Sequence, residues 1–473
     1  MGIQQLPIQG IKLWLWALTA LASSVCIGQA QGPARVGNDE VQSKQCGPPE
    51  YCARTDRRVE PYPEKPPTMG AAGSIIKDPT FGSRIVRATD SKSDPKRGGG
   101  PLYTPSSAEQ NAWNKNSTMF YVSTSGGSFL LYDFDSTTMT PHLARNPNLD
   151  WGGEPQFSLH QINLLYGMNR SKPLLEQYDT STGRVSEVND PSKCIKVGTG
   201  DFGRDLTVSA DDNRFMTVLG PRQDESDMVY IYDRTQGCRW YNTQTGEVGG
   251  QWGPQGTVSL PDRFLLHNAR MAKSGKFIYL VRAGGGVAVG HRWVVWDIDS
   301  LNISVCPEGC SGHHVLGYSH IFGPSGRVHP LELWLRPLNH LENSISVIDG
   351  LQTYKGPWFD SHFSWNDADP NDSTPVCFST YEPSKPDQPN AVPPVTQPWE
   401  NEIDCVETDG KAFKVWRFAH TYSSARNGFW SSPRGNVSQD GRFFMFTSDW
   451  EEQLGKMPQD GKFRTDVFIV ELR

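Results

Sequence analysis

The sequence predicts an all-β protein, a seven-bladed β-propeller with four-stranded antiparallel blades, and three observations carry that prediction. From about residue 80 onward, short runs of aromatic and β-branched residues are separated by Gly, Asp, Asn and Pro, with no helical period in any window. A strand–turn–strand unit recurs seven times between residues 110 and 446. Each unit is followed by a further strand, which frequently ends in an aromatic residue and Asp.

In chain order, residues 1–30 read as a secretory signal. Lys12 supplies the positive charge, Leu13 to Ala22 the short apolar core, and Gly28-Gln29-Ala30 a small-x-small cleavage site. Val25 before Cys26 is too large for a lipoprotein cleavage pattern. Nothing later approaches the ~18 consecutive apolar residues of a membrane span, so a secreted chain, extracellular or periplasmic, is expected. Residues 31–80 are rich in Pro, Gly and charge, as in Pro61-Tyr62-Pro63-Glu64-Lys65-Pro66-Pro67, and read as a leader or linker before a propeller at 81–473. The net charge of −7 gives no sign of a nucleic-acid surface.

Removal of the signal leaves eight cysteines, and in an exported chain these are expected to pair. Their spacing suggests Cys46 with Cys52, Cys194 with Cys238, Cys306 with Cys310, and Cys377 with Cys405, among many other connectivities. A zinc site would need two close pairs brought together, and Cys306-x3-Cys310 has no matching motif.

The clearest repeat unit is Asn436 to Phe446, in which Ser438-Gln439-Asp440-Gly441 forms a tight turn between two strands. Similar units begin at Val208, Met271 and Phe322, with looser ones at Trp113, Phe157 and Trp365, the last with an insertion in its turn. Third strands follow at Leu131-Tyr132-Asp133, Gln177-Tyr178-Asp179, Ile231-Tyr232-Asp233 and Val295-Trp296-Asp297, and less regularly at Val347-Ile348-Asp349, Val415-Trp416-Arg417 and Val467–Val470. The repeat length is about 55 residues, slightly above the ~40–50 of a four-stranded blade, so long loops are expected. Ser83 to Asp90 has strand character and is predicted to supply the outer strand of the last blade, closing the ring. The phrase Ser438-Gln439-Asp440-Gly441-Arg442-Phe443-Phe444-Met445-Phe446 resembles the Ser-Pro-Asp-Gly-Lys turn of TolB-like and WD40-like propellers. That resemblance covers most of residues 80–473 and implies fold rather than activity.

Aligning the units locates the channel. Counted from the apolar residues Trp113, Phe157, Val208, Met271, Phe322, Trp365 and Val437, the position three residues earlier is always polar: Gln110, Glu154, Asp205, Asn268, Ser319, His362 and Arg434. A slip of one residue would put His267 in place of Asn268 and His320 in place of Ser319. Candidate catalytic residues are therefore His362, His267, His320 and Arg434, and candidate substrate-binding residues are Gln110, Glu154, Asp205, Asn268, Trp151 and Trp430. Trp358 is a third candidate for a sugar-stacking platform.

Two chemistries suit such a set. The histidines can bind a divalent metal such as calcium or manganese through neutral imidazole nitrogens. Alternatively, one histidine acts as base while Arg434 neutralises a substrate carboxylate, as β-elimination from a uronic acid requires. In outline the chain is similar to propeller polysaccharide lyases of the oligogalacturonate lyase type, which implies a histidine-rich metal site, although no Gln-x-x-His-x-His motif occurs here. The other reading is a non-catalytic, TolB-like monomer that holds a protein or glycan partner at its mouth. Hydrogen-bonded structural histidines and an Arg434 paired with Glu154 or Asp205 fit that reading equally. Five sequons, at Asn116, Asn169, Asn302, Asn371 and Asn436, permit N-glycosylation in a eukaryotic host. Asn436 falls in an inner strand and is expected to be unused.

Overall fold

Each repeat forms one antiparallel sheet, because its aromatic and β-branched runs supply apolar faces that only neighbouring sheets can bury. The computed structural model describes residues 46–95, 99–198, 202–258, 263–283, 293–306, 313–324, 333–348, 360–366, 368–381, 397–409, 414–426 and 428–473. Residues 1–30, with the expected signal, lie outside that set. Among the described residues the strands fall into seven sheets, five of four strands, one of six and one of five. The seven-bladed prediction is thus borne out.

Blades one to seven have the inner strands Leu102–Tyr103, Trp151–Phe157, Phe202–Val208, Leu266–Met271, Val315–Leu316, Asp360–Ser364 and Gly435–Val437. The face where these strands begin is here the upper face; the lower face carries the turns into the second strands. Rings from adjacent blades meet edge to face: Tyr166 with Phe215 at 4.9 Å, Phe322 with Phe363 at 5.3 Å and Phe134 with Phe443 at 5.0 Å. Trp113, Trp293, Trp296, Trp365 and Trp416 are fully buried.

Ring closure follows the sequence reading. Arg84–Arg87 pairs antiparallel with Asp466–Glu471, placing Ile85 opposite Val470 and Val86 opposite Ile469. The structure then departs from the expected linker, for the compact unit begins at Cys46. Ile75–Lys77 adds a fifth strand to blade seven. Upstream of it, Tyr51 packs on Trp416 and Phe418 and donates to the Gly441 carbonyl at 2.8 Å. Arg417, itself gripped by Glu402 at 2.6 and 2.8 Å, donates to Asp56 at 3.0 Å. A segment rich in Pro and charge thus lies along blades six and seven, held in part by an ion pair from Asp56 to the buried Arg417 that composition alone does not reveal.

Blade five also differs. Its inner strand is Val315–Leu316 and its turn Gly317–Ser319, where the Gly317 amide donates to the His320 carbonyl at 2.9 Å. Phe322 therefore sits in the second strand, His320–Pro324, and not at the end of the first. Disulfides join Cys46 to Cys52, Cys194 to Cys238 and Cys377 to Cys405. Cys306 is also disulfide-bonded, while Cys310 lies outside the described residues.

Candidate functional site

The correction to blade five changes the channel ring. Counting back from Leu316, the equivalent of Val208, the position held by Asp205 in blade three is held by His313 in blade five. The structure brings His313 together with His362: the two rings stack at 4.3 Å, and His313 Nδ1 donates to the Ser361 carbonyl at 3.0 Å. On its other side His362 stacks on Tyr381, sharing a hydrogen bond of 3.2 Å between Nε2 and the phenol oxygen.

Beside this stack stands the connection from blade six to blade seven. Gly428–Ser431 forms a short 3₁₀ turn, entered through Gly428 at φ +71° and tightened by Ser432 Oγ, which donates to the Phe429 carbonyl at 2.7 Å. The turn displays Phe429 and Trp430, which are 47% and 48% exposed and meet edge to face at 5.3 Å. Beneath them lies Arg434, with no exposed surface. Its guanidinium is 4.1 Å from the Phe429 ring centre and 5.0 Å from that of Trp430, and it also donates to the Phe429 carbonyl. Tyr103 backs Trp430 at 5.1 Å, and Phe429 stands edge-on to His362 at 6.3 Å. One cluster on the upper face thus joins His313, His362, Tyr381, Phe429, Trp430 and Arg434.

The opposite side of the channel is ionic. Asp205 sits at a β-bulge of its strand with φ +58°. This backbone aims its carboxylate at Arg204, at 2.5 Å, and at Arg270 of blade four, at 2.9 Å. Arg270 continues to Glu109 at 3.0 Å. Burial pushes the Glu109 carboxyl above the ordinary carboxylate range, against the lowering pull of Arg270, Lys273 and His313. Glu109 and Gln110 belong to a segment between the inner strand of blade one and Trp113 that crosses the channel. Asn436 Nδ2 donates to the Ala108 and Gln110 carbonyls at 2.8 and 2.7 Å, and Asn111 Nδ2 donates to the Phe157 carbonyl at 2.8 Å.

Of the residues singled out from sequence, His362, Arg434 and Trp430 meet in the upper cluster. His267 stands apart on the rim, half-exposed and bonded to Asp224 at 2.9 Å. His320 is at the lower face, bonded to Asp372 at 2.9 Å, because the true turn of blade five precedes it. Ser319 lies in that turn, its hydroxyl donating to Asp372 at 2.9 Å. Trp151 is buried against Phe129 at 6.0 Å and donates to Glu176 at 2.7 Å, so it offers no surface to a ligand. Asn268 follows the bulge of its strand with a buried Oδ1. Glu154 lies in the strand Trp151–Phe157 with its side chain outside the described set, as is all of Trp358. Arg434 lies under the rings of Phe429 and Trp430. Phe429 is the residue that sequence reasoning missed, while His313, conspicuous in the sequence as one of the close group His313-His314 with His320, was not placed at the channel. The signal for His313 was Leu316-Gly317, a small residue opening a turn as Ala272 does in blade four.

Among the described residues no three His, Cys, Asp or Glu side chains gather in a metal-binding group, and the two histidines face each other ring on ring.

The fold and its mouth define a seven-bladed propeller with an aromatic and histidine-lined channel opening. No family model and no curated protein matches the chain. Among solved structures it is similar to an oligogalacturonate lyase in complex with manganese, at 12% identity and a TM-score of 0.52 over 85% of this chain and 99% of that one. It is also similar to an oligogalacturonate lyase from Vibrio parahaemolyticus, at 11% identity and a TM-score of 0.51 over 85% and 98%. A weaker likeness to TolB from Acinetobacter baumannii has 14% identity and a TM-score of 0.32 over 56% and 60%. These likenesses are of fold.

Proposed function

We infer that this chain is an exported, non-catalytic propeller that binds a glycan at its upper face. The observation that carries the reading is the exposed Phe429–Trp430 pair, fixed from beneath by the buried Arg434. An exposed aromatic pair on a rigid base loses little conformational entropy on binding and presents flat faces to the C–H surface of a sugar ring. The adjoining His362–Tyr381 pair supplies polar atoms for ring hydroxyls. Export is supported by the first thirty residues and by disulfides, which form and persist chiefly in oxidising compartments. No helix among the described residues is long and apolar enough to cross a membrane.

The test is binding of the purified chain to an immobilised glycan panel, neutral and acidic, with Trp430→Ala as comparison. Retention of a glycan class that Trp430→Ala loses is the expected result. Retention of none, with a protein captured through the same aromatic pair, would replace the glycan by a protein partner.

A second reading, β-elimination on a uronic-acid polysaccharide, is favoured by one observation: His362, a candidate base, lies against Tyr381 in the cluster that holds Arg434. In that reaction the base takes the proton beside the carboxylate and a cation stabilises the charge that develops. Arg434 must first emerge from under Phe429. Ultraviolet absorbance of unsaturated uronate, appearing with the wild type and absent with His362→Ala, would establish this reading over binding alone.

A further inference from the structure

Five sequons stand in the sequence, and the structure divides them by face. Asn116 lies in the turn between the first two strands of blade one, where Ser117 Oγ accepts from the Asp440 amide of the equivalent turn in blade seven. Asn371 lies in the corresponding connection of blade six, next to Asp372, which accepts from Ser319 in the blade-five turn. Asn302 lies between the third and fourth strands of blade four, beside Asp299, which pairs with Arg214 at the start of a second strand. All three asparagines are exposed, as are the hydroxyl residues Thr118, Ser304 and Ser373 that complete their sequons. All three are on the lower face.

The other two differ. Asn436 has no exposed surface, and its amide holds the segment that crosses the channel. Asn169 is on the upper face, at the end of the second strand of blade two. Its Oδ1 accepts from the Ser171 and Lys172 amides at 3.0 Å each, and its Nδ2 points at Glu176 at 3.4 Å.

We propose that Asn116, Asn302 and Asn371 are N-glycan acceptors and that Asn169 and Asn436 are not, so that glycans cover the lower face and leave the upper face bare. The proposal rests on the export reading above. In the transfer, the asparagine Nδ2 attacks the anomeric carbon of a lipid pyrophosphate-linked oligosaccharide. The carbon–nitrogen bond forms as the carbon–oxygen bond to phosphate breaks, the lipid pyrophosphate leaves, and the amide gives up one proton. A glycan is bulky and hydrophilic, so a site survives folding only where the added sugar stays in water. At Asn436 it would have to displace the channel segment, and at Asn169 it would disturb a turn that both ends of the amide hold.

The experiment is production of the full chain in a eukaryotic secretory host and peptide mass spectrometry of the protein in the medium. Enzymatic deglycosylation in isotopically heavy water marks each occupied asparagine. A parallel chain with residues 1–30 replaced by an established secretory signal separates the sequons from the export reading, since it is exported whether or not the native segment is a signal. Marks at Asn116, Asn302 and Asn371 alone are expected, with a deglycosylation shift abolished by the combined change Asn116→Gln, Asn302→Gln and Asn371→Gln. A mark at Asn169 or Asn436, or an exported chain lacking a mark at any of the three, would overturn the proposal.

Discussion

The two sides of the channel use the same strand position for opposite purposes. In blade three the position holds Asp205, whose charge is answered at 2.5 and 2.9 Å by Arg204 and Arg270. In blades five, six and seven it holds His313, His362 and Arg434, gathered under or beside rings that are half-exposed. The ionic side is closed upon itself, and a ligand there would have to displace charges already matched. The aromatic side presents apolar surface to water, and covering it returns free energy at about 25 cal/mol per Å². A ring of polar residues around a channel is therefore no guide to where a ligand sits until it is known which charges are already satisfied.

Breaking the ionic side should produce the largest effect. Asp205→Ala leaves Arg204 and Arg270 buried without their shared carboxylate and puts alanine where φ is +58°. Loss of one partner from a buried pair costs about 3–5 kcal/mol. Urea unfolding should show a lower midpoint with an unchanged slope, while the surviving folded fraction still binds at the upper face. A lost binding site with unaltered stability would reverse the roles assigned to the two sides.

The next effect is one of pH and concerns the anchor of the aromatic connection. Ser424 is held by Asp449 through its amide at 2.8 Å and its hydroxyl, and the Glu451 amide donates to the Tyr422 carbonyl at 2.8 Å. Burial raises Asp449 to about 6 and Glu451 to about 7. Both carboxyls therefore hold protons more tightly in the folded chain than in the unfolded one. Stability falls as pH rises from the ordinary carboxylate range towards 7, and levels off above it. Asp449→Asn should flatten that slope and gain stability at neutral pH on the order of 2 kcal/mol. A melting temperature that climbs between pH 4 and pH 7 by these groups would contradict their assignment.

His362→Ala should cost less, about 1–2 kcal/mol, since a buried ring stacked between His313 and Tyr381 is lost without stranding a charge. Thermal unfolding gives the cost, and the glycan panel shows whether the polar half of the cluster contributes to binding. A loss as large as that of Asp205→Ala would make His362 a structural residue of blade six.

The fold was legible because it is repeated. Seven approximate copies of a strand–turn–strand pattern expose the period even where one copy is degenerate, and ring closure by Arg84–Arg87 followed from β character at the chain's near end. What escaped was local. In blade five the tight Gly317–Ser319 turn lacks the Asp-Gly signature, whereas Gly323-Pro324-Ser325-Gly326 looks like a turn and begins within a strand. That single misplacement moved the channel position from His313 to Ser319 and His320. The bulges at Arg204 to Thr207 and at Leu266 to Asn268 likewise re-aim side chains in ways that a strict period of two does not show. The exposed Phe429 went unnoticed because exposure depends on which neighbours cover a ring, and that is decided by the path of the chain from blade six to blade seven.

The smallest effect on stability tests the comparison most directly. Trp430 is 48% exposed and rests on Arg434 and Tyr103. Its replacement by alanine removes few buried contacts, and half-exposed positions change stability by about 0.5 kcal/mol or less. If the aromatic pair is the docking surface, the same substitution removes a central anchor. Anchors of that kind contribute about 2 kcal/mol or more, so glycan affinity should fall roughly thirtyfold or further. Calorimetric titration beside thermal unfolding gives both quantities from one preparation. A stable Trp430→Ala that binds like the wild type would move the ligand away from blades six and seven. The ionic side, with Glu109 already raised by burial, would then be the place to look.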